Sequence, residues 1–147
     1  MLAVVLDQIS KQIVNAQLAL HHSVAIFPGF NFTLVYNEGA AFSVLSNAGG
    51  WQRWAFTALS IVISSVLLVW LKKLDHNKRV LAAGLAFILG GAIGNLIDRV
   101  IYGHVIDFID VYYKSHHWPA FNLADSAITL GAGLLILDML LERKTHG

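Results

Sequence analysis

Two long, predominantly apolar runs without a charged residue constrain the fold of this chain more than any other feature. They extend from Trp54 to Leu71 and from Val80 to Ile97. A helix needs about 20 predominantly apolar residues to cross the hydrocarbon core of a bilayer, and each run comes close to that length. A chain of 147 residues cannot hide so much apolar surface in a water-soluble core, because small domains bury a smaller share of their surface. We therefore expect an integral membrane protein.

Two weaker apolar segments flank these runs, one at each end of the chain. The first carries several polar side chains, and the second is interrupted by two aspartates. Counting both predicts an all-α membrane protein, in which a single integral membrane domain over residues 1–147 forms a four-transmembrane-helix bundle. The predicted spans are approximately residues 1–20, 54–71, 80–98 and 121–141.

The distribution of lysine and arginine predicts the orientation of these spans. Four basic residues lie in the short connection 72–79, and two more follow the last span. Because basic residues are enriched in cytoplasmic loops, both regions and both termini are expected on the cytoplasmic side. The segments 21–53 and 98–120 then lie on the outer side, together with most of the aspartates.

The outer segment 28–53 is more than a linker. Phe32, Leu34 and Tyr36 alternate with their neighbours, which predicts a short half-buried strand. The tryptophans of "WQRW" suit a position at the membrane–water interface. We expect a cradle made of a small β-sheet and a short interfacial amphipathic helix that lies over the spans.

Asp125 lies near the beginning of the last span, where a carboxylate is unexpected. A charged side chain in a membrane helix is costly, so such a residue is a candidate for function by default. Asn122 precedes it by three positions and lies on the same helix face, where its amide could orient the carboxylate. A carboxylate at a wet helix end, or one hydrogen-bonded for packing, remains the alternative.

Asp107 supplies a second carboxyl group on the outer side. Two carboxyl groups in a partly dry pocket do not both ionise easily, so one keeps its proton and the pair offers an acid and a base. Such a pair could activate water against a peptide carbonyl without a metal or a covalent intermediate. Asp110 is the rival of Asp107, although a solvated loop carboxylate is its ordinary interpretation.

Polar residues also recur along the third span and the first. Gly91, Asn95 and Arg99 are spaced by four, which places an amide and a guanidinium on one face near the outer surface. Arg99 could bind a backbone carbonyl or an anionic headgroup, or simply extend to the interface. Asp7 and Lys11 are also four apart and predict an ion pair with a structural role.

Several classes of function find no support in the sequence. The net charge of +1, with scattered basic residues, gives no sign of nucleic-acid binding. There is no HExxH, G-x-S-x-G or Walker A sequence, and there is no cysteine. Neither a metal nor another cofactor is expected. A small proton-coupled transporter and a non-enzymatic scaffold remain open alternatives to an enzyme.

Five blocks of the sequence together resemble the lipoprotein signal peptidases, the bacterial signal peptidase II family. In chain order the blocks are "DQISK", "YNEGAAFS", "GGAIGNLIDR", "GHVIDF" and "PAFNLADSAI". The resemblance implies an intramembrane aspartic protease of the inner membrane, with its active site at the periplasmic face. It also implies cleavage of prolipoproteins on the amino side of a diacylglyceryl-modified cysteine. Only six residues precede Asp7, fewer than the family usually has, so we expect an abridged chain or an internal start codon.

The resemblance also implies roles for individual residues. The catalytic dyad corresponds to Asp107 and Asp125, and the pair Asp7 and Lys11 has a supporting role. The positions that correspond to the family's substrate site are Asn37, Gly91, Asn95, Arg99, Asn122 and Ala124. The partners implied are prolipoprotein substrates and membrane lipid, and we expect the protein to act as a monomer.

Overall fold

The computed structural model describes residues 2–39 and 51–145, which form four helices and four strands. The helices are α1 (Leu2–Gln17), α2 (Trp51–Lys73), α3 (Arg79–Ile101) and α4 (Leu123–Thr145). The strands are β1 (Ser23–Phe27), β2 (Phe30–Asn37), β3 (Val105–Tyr113) and β4 (His116–His117). Residues 40–50 belong to the segment 28–53 in which the interfacial helix was predicted, and they lie outside the described residues. The "WQRW" segment belongs to α2.

Three of the helices in the described part of the chain are long and apolar enough to cross a membrane. Their membrane-compatible segments are Arg53–Lys73, Arg79–Ile101 and Leu123–Leu141. Helix α1 has 16 residues, which corresponds to a length of about 24 Å, short of a hydrocarbon core of about 30 Å. It ends at Gln17, before the predicted boundary of the first span. The four-helix count of the sequence prediction therefore holds, with one helix shorter than a typical span.

Glycines let α3 approach its neighbours at backbone distance. A Cβ atom added to Gly131 of α4 would lie 2.6 Å from the carbonyl oxygen of Gly84 in α3. On the other side of α3, a Cβ on Gly94 would lie 2.6 Å from a carboxylate oxygen of Asp7 in α1. Small residues are the usual means of close helix contact in membranes, where burial of apolar surface supplies little driving force.

The four strands form one antiparallel sheet in the order β1-β2-β3-β4. The predicted strand around residue 34 is present as β2, but its alternation is wrong. Leu34 is 1% exposed while Tyr36 is 37% exposed, and the buried residue before Leu34 is Asn31. A register shift between Phe32 and Val35 explains this difference, because an extra residue in one strand reverses the facing of the side chains beyond it.

The sequence did not predict β3, which carries both Asp107 and Asp110. Five of its first six residues are buried, so its hydropathy shows no alternation that would reveal a strand. Val35 pairs with Asp107, and Asn31 pairs with Asp110. Because the two aspartates are an odd number of residues apart in one strand, their side chains point to opposite faces of the sheet.

The glycine contact between α3 and α4 gives a first prediction. Gly131→Ala should lower the thermal unfolding midpoint in detergent by roughly 3–10 °C, since overpacking a tight contact costs about 1–3 kcal/mol. Gly133→Ala is the matched control, because a Cβ there would meet nothing within 4 Å. It should leave the midpoint unchanged or raise it, since glycine is a poor helix former. Equal destabilisation by both variants would contradict the assigned contact.

Candidate active site

Asp107 projects from β3 into the interior and is only 2% exposed. The side-chain amides of two asparagines donate to its carboxyl group, from Asn37 Nδ2 to Oδ2 at 3.0 Å and from Asn122 Nδ2 to Oδ1 at 2.7 Å. Burial, reinforced by the nearby charge of Asp125, raises the pKa of Asp107 from 3.8 to about 7. This carboxyl group is therefore suited to hold a proton near neutral pH.

Asp125 lies in the first turn of α4, where a reciprocal capping arrangement fixes its side chain. The Asn122 Oδ1 accepts the backbone N–H of Asp125 at 2.9 Å, and the Asp125 Oδ2 accepts the backbone N–H of Asn122 at 3.3 Å. This is the geometry of a capping box, with Asn122 in the N-cap position. The positive end of the helix dipole favours a negative charge at this position. A second asparagine, Asn95 of α3, donates its Nδ2 to Asp125 Oδ1 at 2.8 Å.

Asn122 links the two carboxyl groups. Its side chain is fully buried and caps α4 through its oxygen while its nitrogen reaches Asp107. The backbone N–H of Asp125 can only donate, so it must face the oxygen of the Asn122 amide. The same reasoning applies to Asn37, whose Oδ1 accepts the backbone N–H of Gly39 at 3.0 Å. Both amides therefore present their NH₂ groups to Asp107.

Asp107 and Asp125 line a single cavity of about 820 Å³. The other lining residues are Asn37, Arg99, Trp118, Pro119, Ala120, Phe121, Ser126, Ile128, Thr129 and Leu130. Polar groups gather where α3, α4 and the sheet meet, and the wall continues along an apolar face of α4. The cavity could therefore hold a polar chain segment beside the carboxyl groups and an apolar group farther along α4.

Arg99 lies near the end of α3, and its guanidinium lines the same cavity. It donates to the carbonyl oxygens of Asn95 and Gly39, each at 3.4 Å, and lies 5.8 Å from the ring centre of Phe56. The sequence predicted contact with a backbone carbonyl or a headgroup, and the first of these is present. A guanidinium has five N–H donors, and these two long hydrogen bonds leave capacity for a ligand.

The predicted ion pair between Asp7 and Lys11 is present and belongs to a larger buried cluster outside the cavity. The Lys11 ammonium lies 2.8 Å from Asp7 Oδ2 and 2.9 Å from Asp98 Oδ2. Gln8, which sequence reasoning missed, donates to Asp98 Oδ1 at 2.8 Å. Asp98 therefore has its charged partner, Lys11, and a second hydrogen-bond partner, Gln8, in α1.

Asp110 is not the solvated loop carboxylate that the sequence suggested. It is 6% exposed and lies on the opposite face of the sheet from Asp107. It accepts hydrogen bonds from Asn31 and Thr33 at 3.0 Å and lies 2.8 Å from Nδ1 of His117. Burial raises the pKa of Asp110, but these hydrogen bonds outweigh burial and lower it below 3.8. The residue does not line the cavity.

Gly91 and Ala124, which the resemblance placed in the substrate site, are not among the residues that line the cavity. They form the contact between α3 and α4, where a Cβ on Gly91 would run into the carbonyl oxygen of Ala124. The backbone N–H of Ala124 also donates to Asp7 Oδ1 at 2.9 Å. Gly91 and Ala124 therefore pack the start of α4 against α3, outside the cavity that Asp125 lines.

Sequence reasoning missed the part of the cavity wall that residues 118–121 and the first turns of α4 form. Trp118 to Phe121 form the approach to α4, and Phe121 bridges to Ile109 of β3 through backbone hydrogen bonds. Thr129, four residues after Asp125, lies on the same helix face and continues the wall. That spacing is the one sequence signal that could have identified part of this wall.

Two carboxyl groups, one favoured to keep a proton and one at a helix N-terminus, face one cavity beside a bundle of apolar helices. This arrangement defines a membrane protein with a site suited to acid–base chemistry. The family model for signal peptidase (SPase) II matches residues 1–141. The chain therefore belongs to the signal peptidase II family.

Individual relatives agree with this assignment. The chain is 56% identical to a lipoprotein signal peptidase of Alteromonas mediterranea over 94% of this chain and 76% of the relative. It is 50% identical to a lipoprotein signal peptidase of Pseudomonas putida over 99% of this chain and 86% of the relative. A solved structure described as a bacterial membrane enzyme has a TM-score of 0.89 and 31% identity, over 99% of this chain and 87% of that one.

Asp107 and Asp110 should affect stability with opposite dependence on pH. The raised pKa of Asp107 means that the native protein binds more protons than the unfolded chain between pH 3.8 and about 7. The contribution of Asp107 to stability therefore falls as the pH rises through that range. The unfolding midpoint of Asp107→Asn, minus that of the unsubstituted protein, should therefore increase by several degrees when the pH is raised from 4 to 8.

Asp110→Asn is the matched comparison in the same strand. The lowered pKa of Asp110 means that its carboxylate stabilises the native state above pH 3.8 and that this contribution is lost at lower pH. The variant should lose stability at pH 7, and the loss should shrink as the pH falls below about 4. Unfolding midpoints in detergent from pH 3 to pH 8 measure both effects. The same pH trend in both variants would contradict the two assigned environments.

Proposed function

We propose that this protein is an aspartic endopeptidase that removes the signal peptide of diacylglyceryl-modified prolipoproteins on the amino side of the lipidated cysteine. The observation that carries the proposal is the common cavity of Asp107 and Asp125, linked through Asn122, in a member of the signal peptidase II family. Lipoprotein substrates accord with the names of its relatives.

The two carboxyl groups would divide the chemistry between them. Asp125, as a carboxylate at the start of α4, takes a proton from a water molecule in the cavity as that water attacks the scissile carbonyl carbon. Asp107 donates its proton to the carbonyl oxygen, which produces a neutral tetrahedral diol. Collapse of this diol breaks the C–N bond. The proton held by Asp125 passes to the leaving amine, and one hydroxyl proton returns to Asp107.

The polar residues around the dyad would hold the substrate backbone in place. Arg99 and Asn37 line the cavity directly, while Asn95 and Asn122 fix the two carboxyl groups. Gly91 and Ala124 would contribute through the packing behind Asp125. An extended peptide needs donors and acceptors at this depth, since unpaired backbone groups in lipid cost several kcal/mol. The apolar face along Ile128 and Leu130 would accommodate the signal helix or the acyl chains of the substrate.

The site would face the periplasm, with the protein in the inner membrane as a monomer in contact with lipid. Asn95 and Arg99 lie towards the end of α3, and Asp125 lies at the start of α4. The basic residues Lys72 and Lys73 lie at the opposite end of the bundle, where the positive-inside rule expects the cytoplasm. Helix α1 would act as the fourth span, and both termini would then be cytoplasmic.

Single substitutions at the dyad test the proposed chemistry. Asp107→Asn and Asp125→Asn should each lower kcat on a diacylglyceryl-modified prolipoprotein peptide in detergent by about 10²–10⁴-fold, the usual contribution of general acid–base catalysis. Asp110→Asn should keep kcat within about threefold, because Asp110 lies on the other face of the sheet. The measurement is peptide cleavage followed by mass spectrometry. Near-normal turnover in either dyad variant would exclude that residue from the chemistry.

The proton on Asp107 also predicts a pH dependence. Since the pKa of Asp107 is about 7, the proton-donating form is lost as the pH rises through that value. We expect kcat/KM, which reports ionisation of the free enzyme, to decrease about tenfold per pH unit above pH 7 to 8. Initial rates at peptide concentrations well below KM, from pH 5 to pH 9, measure this limb. A rate that stays constant up to pH 9 would contradict the role of Asp107 as the acid.

A further inference from the structure

Lys11 is a fully buried cation that the proposed chemistry does not use directly. Its ammonium has three N–H donors and three partners, namely Asp7 Oδ2 at 2.8 Å, Asp98 Oδ2 at 2.9 Å and Asn95 Oδ1 at 2.9 Å. All three partners are themselves buried. Charge neutralisation alone does not require the contact with Asn95, because the two carboxylates already outweigh the charge of Lys11.

The two carboxylates in this cluster hold the backbone immediately before each aspartate of the dyad. Asp7 Oδ1 accepts the N–H of Ala124, the residue before Asp125, at 2.9 Å. Asp98 Oδ2 accepts the N–H of Ile106, the residue before Asp107, at 3.1 Å. The ammonium of Lys11 therefore joins two carboxylates. Asp7 anchors the start of α4, and Asp98 anchors the start of β3.

The third contact determines which way the amide of Asn95 faces. An ammonium can only donate, so Asn95 must present its oxygen to Lys11 and its NH₂ group to the far side. There Nδ2 donates to Asp125 Oδ1 at 2.8 Å. A rotated amide would place two donors against each other at Lys11 and two acceptors against each other at Asp125. Asn122 Nδ2, 3.1 Å from Asn95 Oδ1, supports the same orientation.

We propose that Lys11 is a positioning residue for the dyad. It fixes the orientation of the Asn95 side-chain amide, so that the NH₂ group of this amide faces Asp125. The inference rests on the proposed function and extends it to a residue that does not line the cavity. A role limited to charge balance in the core would need the two carboxylate contacts only, so the two roles can be separated by experiment.

Lys11→Met removes the donor and is tested in the full-length protein in detergent. The loss of a charge-assisted hydrogen bond that orients Asn95 should lower kcat by roughly tenfold to hundredfold, with KM for a diacylglyceryl-modified peptide within about threefold. The side-chain amide of Asn95, assigned by its absence in Asn95→Leu, should shift in ¹H–¹⁵N spectra towards the values of an unbonded amide.

A second variant separates the loss of the Asn95 contact from destabilisation by excess negative charge. The cluster of Asp7, Asp98 and Lys11 carries a net charge of −1 (two carboxylates and one ammonium), and Lys11→Met would make it −2. Lys11→Met with Asp98→Asn restores −1. This double variant should unfold at a higher temperature than Lys11→Met alone, yet retain the low kcat and the shifted Asn95 amide. A double variant with normal kcat and normal amide signals would overturn the proposal in favour of charge balance.

Gln8→Leu is the matched control from the same helix. Gln8 donates to Asp98, to Asp7 and to the carbonyl oxygen of Gly94, and none of these hydrogen bonds involves Asn95. The variant should lower stability without moving the Asn95 amide signals or kcat, and moving both would overturn the proposal. If the unsubstituted protein cuts no lipidated peptide, the proposed function fails. The amide spectra still decide whether Lys11 orients Asn95.

Discussion

The buried ammonium of Lys11 is the interaction on which the rest of the structure depends. An isolated charge at this depth would cost several kcal/mol, and the contacts of Lys11 with two carboxylates and one amide oxygen offset that cost. Those partners come from α1 and α3, and their own hydrogen bonds extend to α4 and β3. The cluster therefore joins strand β3 to three helices that have little apolar driving force to associate in lipid. The cluster also explains the glycine at position 94, because a side chain there would collide with Asp7.

Two different local structures give the two aspartates of the site different surroundings. Asp107 sits in a strand with almost no exposed surface, where burial favours the protonated form. Asp125 sits in the first turn of a helix, where it forms a reciprocal cap with Asn122. Asn122 belongs to both environments, since its oxygen caps the helix and its nitrogen reaches the strand. A symmetric pair of carboxyl groups would also share one proton, but its surroundings would not determine which of the two groups holds it.

Sequence alone could predict the parts of this protein that depend on local pattern. The long apolar runs predicted α2 and α3, and the Asp7–Lys11 spacing predicted an ion pair that is present. Strand β3 was missed because it is buried on both faces and shows no alternation. The partners of Asp110 come from β2 and β4, and Lys11 reaches an amide 84 residues away. Contacts of that kind depend on tertiary structure, which no local pattern encodes.

The central claim is that Asp107 keeps a proton near neutral pH because it is buried beside a second carboxylate. A ¹³C titration of the Asp107 carboxyl carbon, assigned by its absence in Asp107→Asn, measures this directly in detergent. The account predicts a pKa of about 7 for Asp107. It also predicts that this pKa falls in Asp125→Asn, where the neighbouring negative charge is removed. A midpoint near the ordinary 3.8, unchanged by the substitution at residue 125, would contradict the account.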